Sequence, residues 1–175
     1  MKTFILGLLL YLVNTNTFSQ NIIFRETFEK GRLNDAWKTT GQWSVINLES
    51  KGIKPSPGGN NFALASTGNA DIMINIPVEN TSLSVTTQFT FNYWVHNKNA
   101  KATVSILFLK ENGDFISSAN FADLSEKGGW DLFNQQFKIP GGTSVLSLKL
   151  VARAPGVAGT TIYFQSICFG CSRSR

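Results

Sequence analysis

The residue types that take protons, attack carbonyls or hold metals are sparse in this chain. Its 175 residues include one histidine, His96, and two cysteines, Cys168 and Cys171. Any Ser-His or Cys-His couple would have to use His96, which opens a His96-Asn97-Lys98-Asn99 run just after Trp94-Val95. Such a run reads as the solvated end of a hairpin. The sequence contains no His-Glu-x-x-His, no Gly-x-Ser-x-Gly and no phosphate-cradling glycine loop. Two carboxylates alone would serve a glycosidase. Glu26 and Glu29 come nearest to such a pair, but their odd spacing puts them on opposite faces of a regular strand. Most other acids fall in turns, where they aid solubility and turn formation.

Cys168 and Cys171 stand as Cys-Phe-Gly-Cys near the C-terminus. In an oxidising compartment they read as a small disulfide loop, with Gly170 supplying the turn that brings the sulfurs together. A redox pair would sit at the start of a helix after a strand, and no helix pattern follows. Zinc would need about four ligands, which one histidine and two cysteines do not supply.

Aromatic residues are the other chemically useful group. Trp37, Trp43, Trp94 and Trp130 stand among 14 Phe and three Tyr. An exposed indole or phenol ring is a flat platform for the apolar face of a sugar, and nearby amides can bond the hydroxyls. Trp43 and Trp130 head apolar strands and read as core. Trp94 interrupts the polar face of its strand and precedes the His96-Asn97 turn. Trp37 lies in a loop after Leu33-Asn34-Asp35. The candidate ligand-binding set is therefore Trp94, Trp37, His96 and Asn97.

The elements that must position these residues are strands. Alternation over five to ten residues dominates, punctuated by Gly, Asn, Pro and Ser. Residues 83–95 place Val85, Thr87, Phe89, Phe91, Tyr93 and Val95 on one face and mainly polar residues on the other. Residues 102–110 are more uniformly apolar, and Glu111-Asn112-Gly113-Asp114 predicts a hairpin turn into 115–118. Further strands are expected at 132–139, 144–154 and 160–169, and upstream at 22–28, 43–48, 62–65 and 71–76. Residues 51–61 form a Pro/Gly/Asn loop. Residues 119–127 are the one stretch with a helical turn or two. Nine or ten short strands with regular turns predict an all-β, two-sheet antiparallel sandwich of the jelly-roll kind, because one alternating sheet alone would leave an apolar face in water.

The first residues have signal-peptide anatomy: Lys2, an apolar run from Phe4 to Val13, then a polar stretch. The run is too short to anchor in a bilayer, which takes roughly 20 residues. Thr17 and Ser19 predict cleavage before Gln20, so residues 1–19 are a leader and 20–175 a single domain, with no stable membrane anchor after processing. The formal charge of +5 is scattered, whereas nucleic-acid binding needs a clustered basic stripe. A nucleic-acid partner is therefore not expected.

Phe24-Arg25-Glu26-Thr27-Phe28-Glu29, then Trp37, then Gly41-Gln42-Trp43-Ser44-Val45 resembles the opening of secreted jelly-roll domains of Bacteroidetes. These are of the cleaved-adhesin and choice-of-anchor type, within a wider group resembling carbohydrate-binding modules and MAM domains. Gly129-Trp130, Phe137-Lys138-Ile139-Pro140 and Ile162 to Ile167 continue the likeness across most of the chain. The resemblance implies a structural Ca²⁺ held by the Phe-Glu acid and by an acid of the last strand. Glu26 or Glu29 matches the first position. The second falls on Gln165, an amide, which removes one charged ligand.

These observations predict a noncatalytic, extracellular binding module, secreted or on the cell surface, whose partner is a glycan or a glycosylated surface. An adhesin or matrix-type protein that binds a cell-surface protein or itself is the alternative. A small secreted carbohydrate-active hydrolase or lyase comes third.

Overall fold

A computed structural model describes residues 23–78, 88–98, 101–121, 129–153 and 161–170. The predicted leader and its cleavage point lie outside these residues.

Eleven strands are found among the described residues: β1 (Phe24–Glu26), β2 (Lys38–Thr40), β3 (Ser44–Asn47), β4 (Phe62–Ser66), β5 (Ala70–Pro77), β6 (Gln88–Lys98), β7 (Lys101–Leu109), β8 (Phe115–Phe121), β9 (Trp130–Lys138), β10 (Val145–Arg153) and β11 (Thr161–Phe169). They form two sheets. One runs β3-β4-β11-β6-β9, with β1 also paired to β11, and the other runs β2-β5-β10-β7-β8. Every pairing between the described strands is antiparallel. The chain is an all-β jelly-roll sandwich, as the alternation predicted.

Its core is built from strands with one apolar row each. On β10 that row is Leu146, Leu148, Leu150 and Ala152, all fully buried. Ile72, Ile74 and Ile76 of β5 and Val104, Ile106 and Phe108 of β7 stand on either side of it. The other sheet answers with Leu64, Ile162, Phe164, Ile167 and Phe169, while Phe133 and Phe137 of β9 pack against the cluster. Each side chain of this size contributes about 1.5–3 kcal/mol by leaving water.

Strand β11 changes phase part-way. Phe164 and Phe169 both face the core although five positions apart, which a regular strand forbids. A bulge between Gln165 and Cys168 makes the adjustment: Gln165 pairs with Trp94 and Cys168 with Asn92, so β11 carries one more residue than β6. Ser166 adopts φ 52° within it. The bulge also marks a change of neighbour. Opposite β6, residues 162–164 of β11 pair with β4 and residues 167–169 pair with β1. Gln165 and Ser166 thus sit where β1 and β4 meet end to end.

Two expectations change. Ala119–Phe121 continue strand β8, with Phe121 1% exposed against the core and Phe133; residues 122–128 of the expected helical turn lie outside the described residues. Strand β2 was not expected, because Lys38-Thr39-Thr40 is short and exposed on every residue. It is held by pairing with Met73, Ile72 and Asp71 of β5 rather than by an apolar pattern.

Candidate functional site

The segment joining β3 to β4 does not loop away into solvent. Its first part is a 3-10 turn at Glu49–Lys51, closed by Gly52 at φ 68°. Leu48 N–H then bonds Asn61 O at 2.8 Å, tying the two ends together. From there the segment crosses the outer face of the six-stranded sheet. Leu48, Ala63, Ala65 and Gln165 are buried yet stand apart from the main core cluster. Gln165 lies beneath this strap and is bonded to it.

Three contacts fix the strap. The indole Nε1 of Trp130 donates to Lys54 O at 2.6 Å. Ser56 N–H donates to Gln165 Oε1 at 2.9 Å. Gln165 Nε2 donates to Asn60 O and, at 3.0 Å, to Phe62 O. Asn60 extends the network, its Nδ2 donating to Thr27 O at 2.7 Å and its Oδ1 accepting from Phe62 N–H at 2.7 Å. A Cβ on Gly59 would lie 2.5 Å from both Gln165 Oε1 and Ser56 Oγ, so glycine is required there.

Beside the strap an aromatic row opens. Trp130 of β9, His96 of β6 and Tyr163 of β11 are consecutive cross-strand partners. The His96 ring lies 5.5 Å from Trp130 and 5.6 Å from Tyr163, edge-on to each. All three residues are half-buried. Desolvation between the two rings pushes the His96 pKa below its usual 6.5, and its Nδ1 is buried with no hydrogen-bond partner. A neutral imidazole between two flat rings, with amides nearby, can stack on and hydrogen-bond an uncharged ligand. Next along the same face of β9 come Leu132, Asn134, Gln136 and Lys138, all exposed.

The expected site residues are only partly brought together. His96 is in the row. Trp94 occupies the register position between Gln165 and Leu132, one step along the sheet from His96. Asn97 stands in register with Ile162, the next position after His96 on β6. Trp37 is a correction: it is 6% exposed and belongs to the core cluster, its ring 6.2 Å from Phe24. The short β2 that follows it delivers it inward. Trp130 is the reverse case, expected in the core and found on the outer row. Its place was legible, because Phe133 and Phe137 face inward and an even-numbered residue on the same strand must face out. Tyr163, between the inward Ile162 and Phe164, follows the same rule.

Cys168 is disulfide-bonded. Its expected partner, Cys171, lies outside the described residues. Glu26 and Gln165 are brought near one another at the β1–β11 junction, since Glu26 pairs with Ile167. Glu26 Oε1 accepts from Phe28 N–H at 2.8 Å, and Glu29 is exposed. Among the described residues no three His, Cys, Asp or Glu side chains are grouped as metal ligands.

No protein-family model matches the sequence, and no curated protein matches it. Solved structures do match, and the likeness is one of fold. The CBM22-1 xylan-binding domain from Paenibacillus barcinonensis Xyn10C aligns at TM-score 0.56 and 14% identity, over 89% of this chain and 97% of that one. A family 16 carbohydrate-binding module aligns at TM-score 0.57 and 15% identity, over 85% of this chain and 99% of that one. The enzymatically active domain of Bacteriophage CBA120 tailspike protein 4 aligns at TM-score 0.64 and 13% identity, over 82% of this chain but only 20% of that one.

Proposed function

We propose that this protein is a noncatalytic glycan-binding module whose ligand lies across the Trp130–His96–Tyr163 row. The observation that carries the reading is the row itself: three ring side chains from three strands, side by side on an outer sheet face, one of them pinned by the strap through Lys54. Structural similarity to carbohydrate-binding modules supports it at the level of fold. Trp94 holds the neighbouring register position on β6, and the exposed amides Asn134 and Gln136 on β9 provide hydrogen-bond partners for hydroxyl groups. A neutral imidazole and uncharged amides favour a neutral glycan over an acidic one.

Export follows from the same reading. A leader at residues 1–19 and a disulfide at Cys168 both belong to an oxidising, extracytoplasmic setting. The protein acts there as a secreted or surface-bound module of the jelly-roll group that its Phe-Glu opening resembles.

One observation favours a protein partner instead. Phe115, at the start of β8, is 62% exposed, and β8 is the terminal strand of its sheet among the described residues. A screen of residues 20–175 on a glycan array separates the readings. Retention of neutral oligosaccharides supports the module. Silence across the array, with self-association abolished by Phe115→Ser, supports the alternative.

A further inference from the structure

The junction where β1, β11 and the strap meet is where the family resemblance implies calcium. The atoms there are committed differently. Ser56 N–H is purely a donor, so the Gln165 atom facing it must be oxygen. The other end of the same planar amide is then nitrogen, and it faces Asn60 O, Phe62 O and, at 3.4 Å, Asn60 Oδ1. Oxygen atoms from two residues thus converge on one N–H₂ group. Thr27 O is taken in the same way by the amide nitrogen of Asn60. Glu26 is engaged with Phe28 N–H. Glu26 Oε1 and the carbonyl oxygens of Thr27, Asn60 and Phe62 already accept from amide nitrogens. Ser56 Oγ, buried without a partner, is left over, and one neutral hydroxyl does not supply the roughly six to eight oxygens that calcium takes, so the residues do not fit a bound ion.

We infer that the Gln165 amide group stands in the place of a cation, closing this junction without metal. Gln165 itself brings no charge to the site. Gln165 is fully buried, and a carboxylate there would need a counter-ion that the amide does not. One atom decides the matter. In Gln165→Glu an oxygen replaces the nitrogen, so a carboxylate oxygen would face Asn60 O and Phe62 O. Acceptor would meet acceptor unless a hard cation, which takes carbonyl and carboxylate oxygen, came between them.

The test is thermal unfolding of residues 20–175 and of Gln165→Glu at neutral pH, each with excess EDTA and with millimolar CaCl₂. Calorimetric titration of CaCl₂ into the natural protein runs beside it. The natural protein should melt at one temperature in both buffers and show no binding heat. Gln165→Glu should melt several degrees lower in EDTA and recover most of the loss in calcium, because a bound ion stabilises by mass action. A natural protein whose melting temperature rises with calcium, or which gives a saturable heat, overturns the inference. So does Gln165→Glu that is as stable as the parent in EDTA, or that calcium does not restore. Should the variant fail to fold in EDTA, refolding it in calcium and the titration of the parent still decide.

Discussion

The Trp130 indole N–H donates to the carbonyl of Lys54 at 2.6 Å, across 76 positions of chain. That bond couples the strap over the sheet to the rim of the aromatic row. On the proposed reading Trp130 has two duties, one toward the fold and one toward the ligand. Trp130→Phe separates them. It keeps a ring but loses the donor, so stability should fall by about 0.5–1.5 kcal/mol, the usual net worth of one hydrogen bond. Denaturant unfolding measures the loss, with an unchanged m-value expected.

Gly59 should be the least replaceable residue of the strap. A Cβ there would meet Gln165 Oε1 and Ser56 Oγ at 2.5 Å. Gly59→Ala should cost about 1–3 kcal/mol, the range for forcing extra atoms into a packed site. Gly68→Ala is the control, since nothing lies within 4 Å of its added carbon. It should melt within a degree or two of the parent.

Ser166 holds φ 52° so that the bulge can turn both Phe164 and Phe169 inward. The left-handed region costs a side-chain-bearing residue about 1–2 kcal/mol relative to glycine. Ser166→Gly should therefore be neutral or stabilising by up to about 1 kcal/mol, after glycine's own entropy cost. Ser166→Val should lose more than about 1 kcal/mol, because β-branched residues tolerate this conformation least. Chemical denaturation of the two variants reads the difference.

Acid should find His96. Burial between Trp130 and Tyr163 lowers its pKa in the folded state. The unfolded chain then takes up the proton first as pH falls through about 6.5. The contribution is fully present above that value and is lost as pH drops toward the depressed folded pKa. Melting temperature should fall as pH drops below about 6.5, and His96→Gln should flatten that part of the profile. Asp71 acts in a lower window. Its bond to Lys149 at 2.8 Å and its pairing with Arg153 at 2.7 Å hold its carboxyl below 3.8. Stability from it persists above 3.8 and is lost on further acidification. The partners are largely solvated, so Asp71→Asn should cost under about 1 kcal/mol near neutral pH.

The architecture was readable because most strands bury one clean row. Leu146, Leu148, Leu150 and Ala152 announce β10 from spacing alone, and the inward face of β9 does the same. From sequence the strap is a Pro/Gly/Asn loop and nothing more. Its role depends on Gln165, a residue whose partners lie more than 100 positions away, and local pattern cannot encode such a meeting. The same limit explains Trp37, which neighbouring polar residues disguise as a loop aromatic. Trp130 and Tyr163 were within reach. Parity on their own strands places both outside, although Trp130 also heads an apolar strand, which reads as core.

Retention of the protein in affinity gels tests the glycan-binding account most directly. The probe is whichever neutral polysaccharide the array identifies. Residues 20–175 are compared with Trp130→Ala and Tyr163→Ala, each checked for folding by its melting curve. The parent should be retarded, and either variant, still folded, should lose about tenfold or more in affinity, a free-energy change of at least about 1.4 kcal/mol. Folded variants that bind as tightly as the parent would contradict the account.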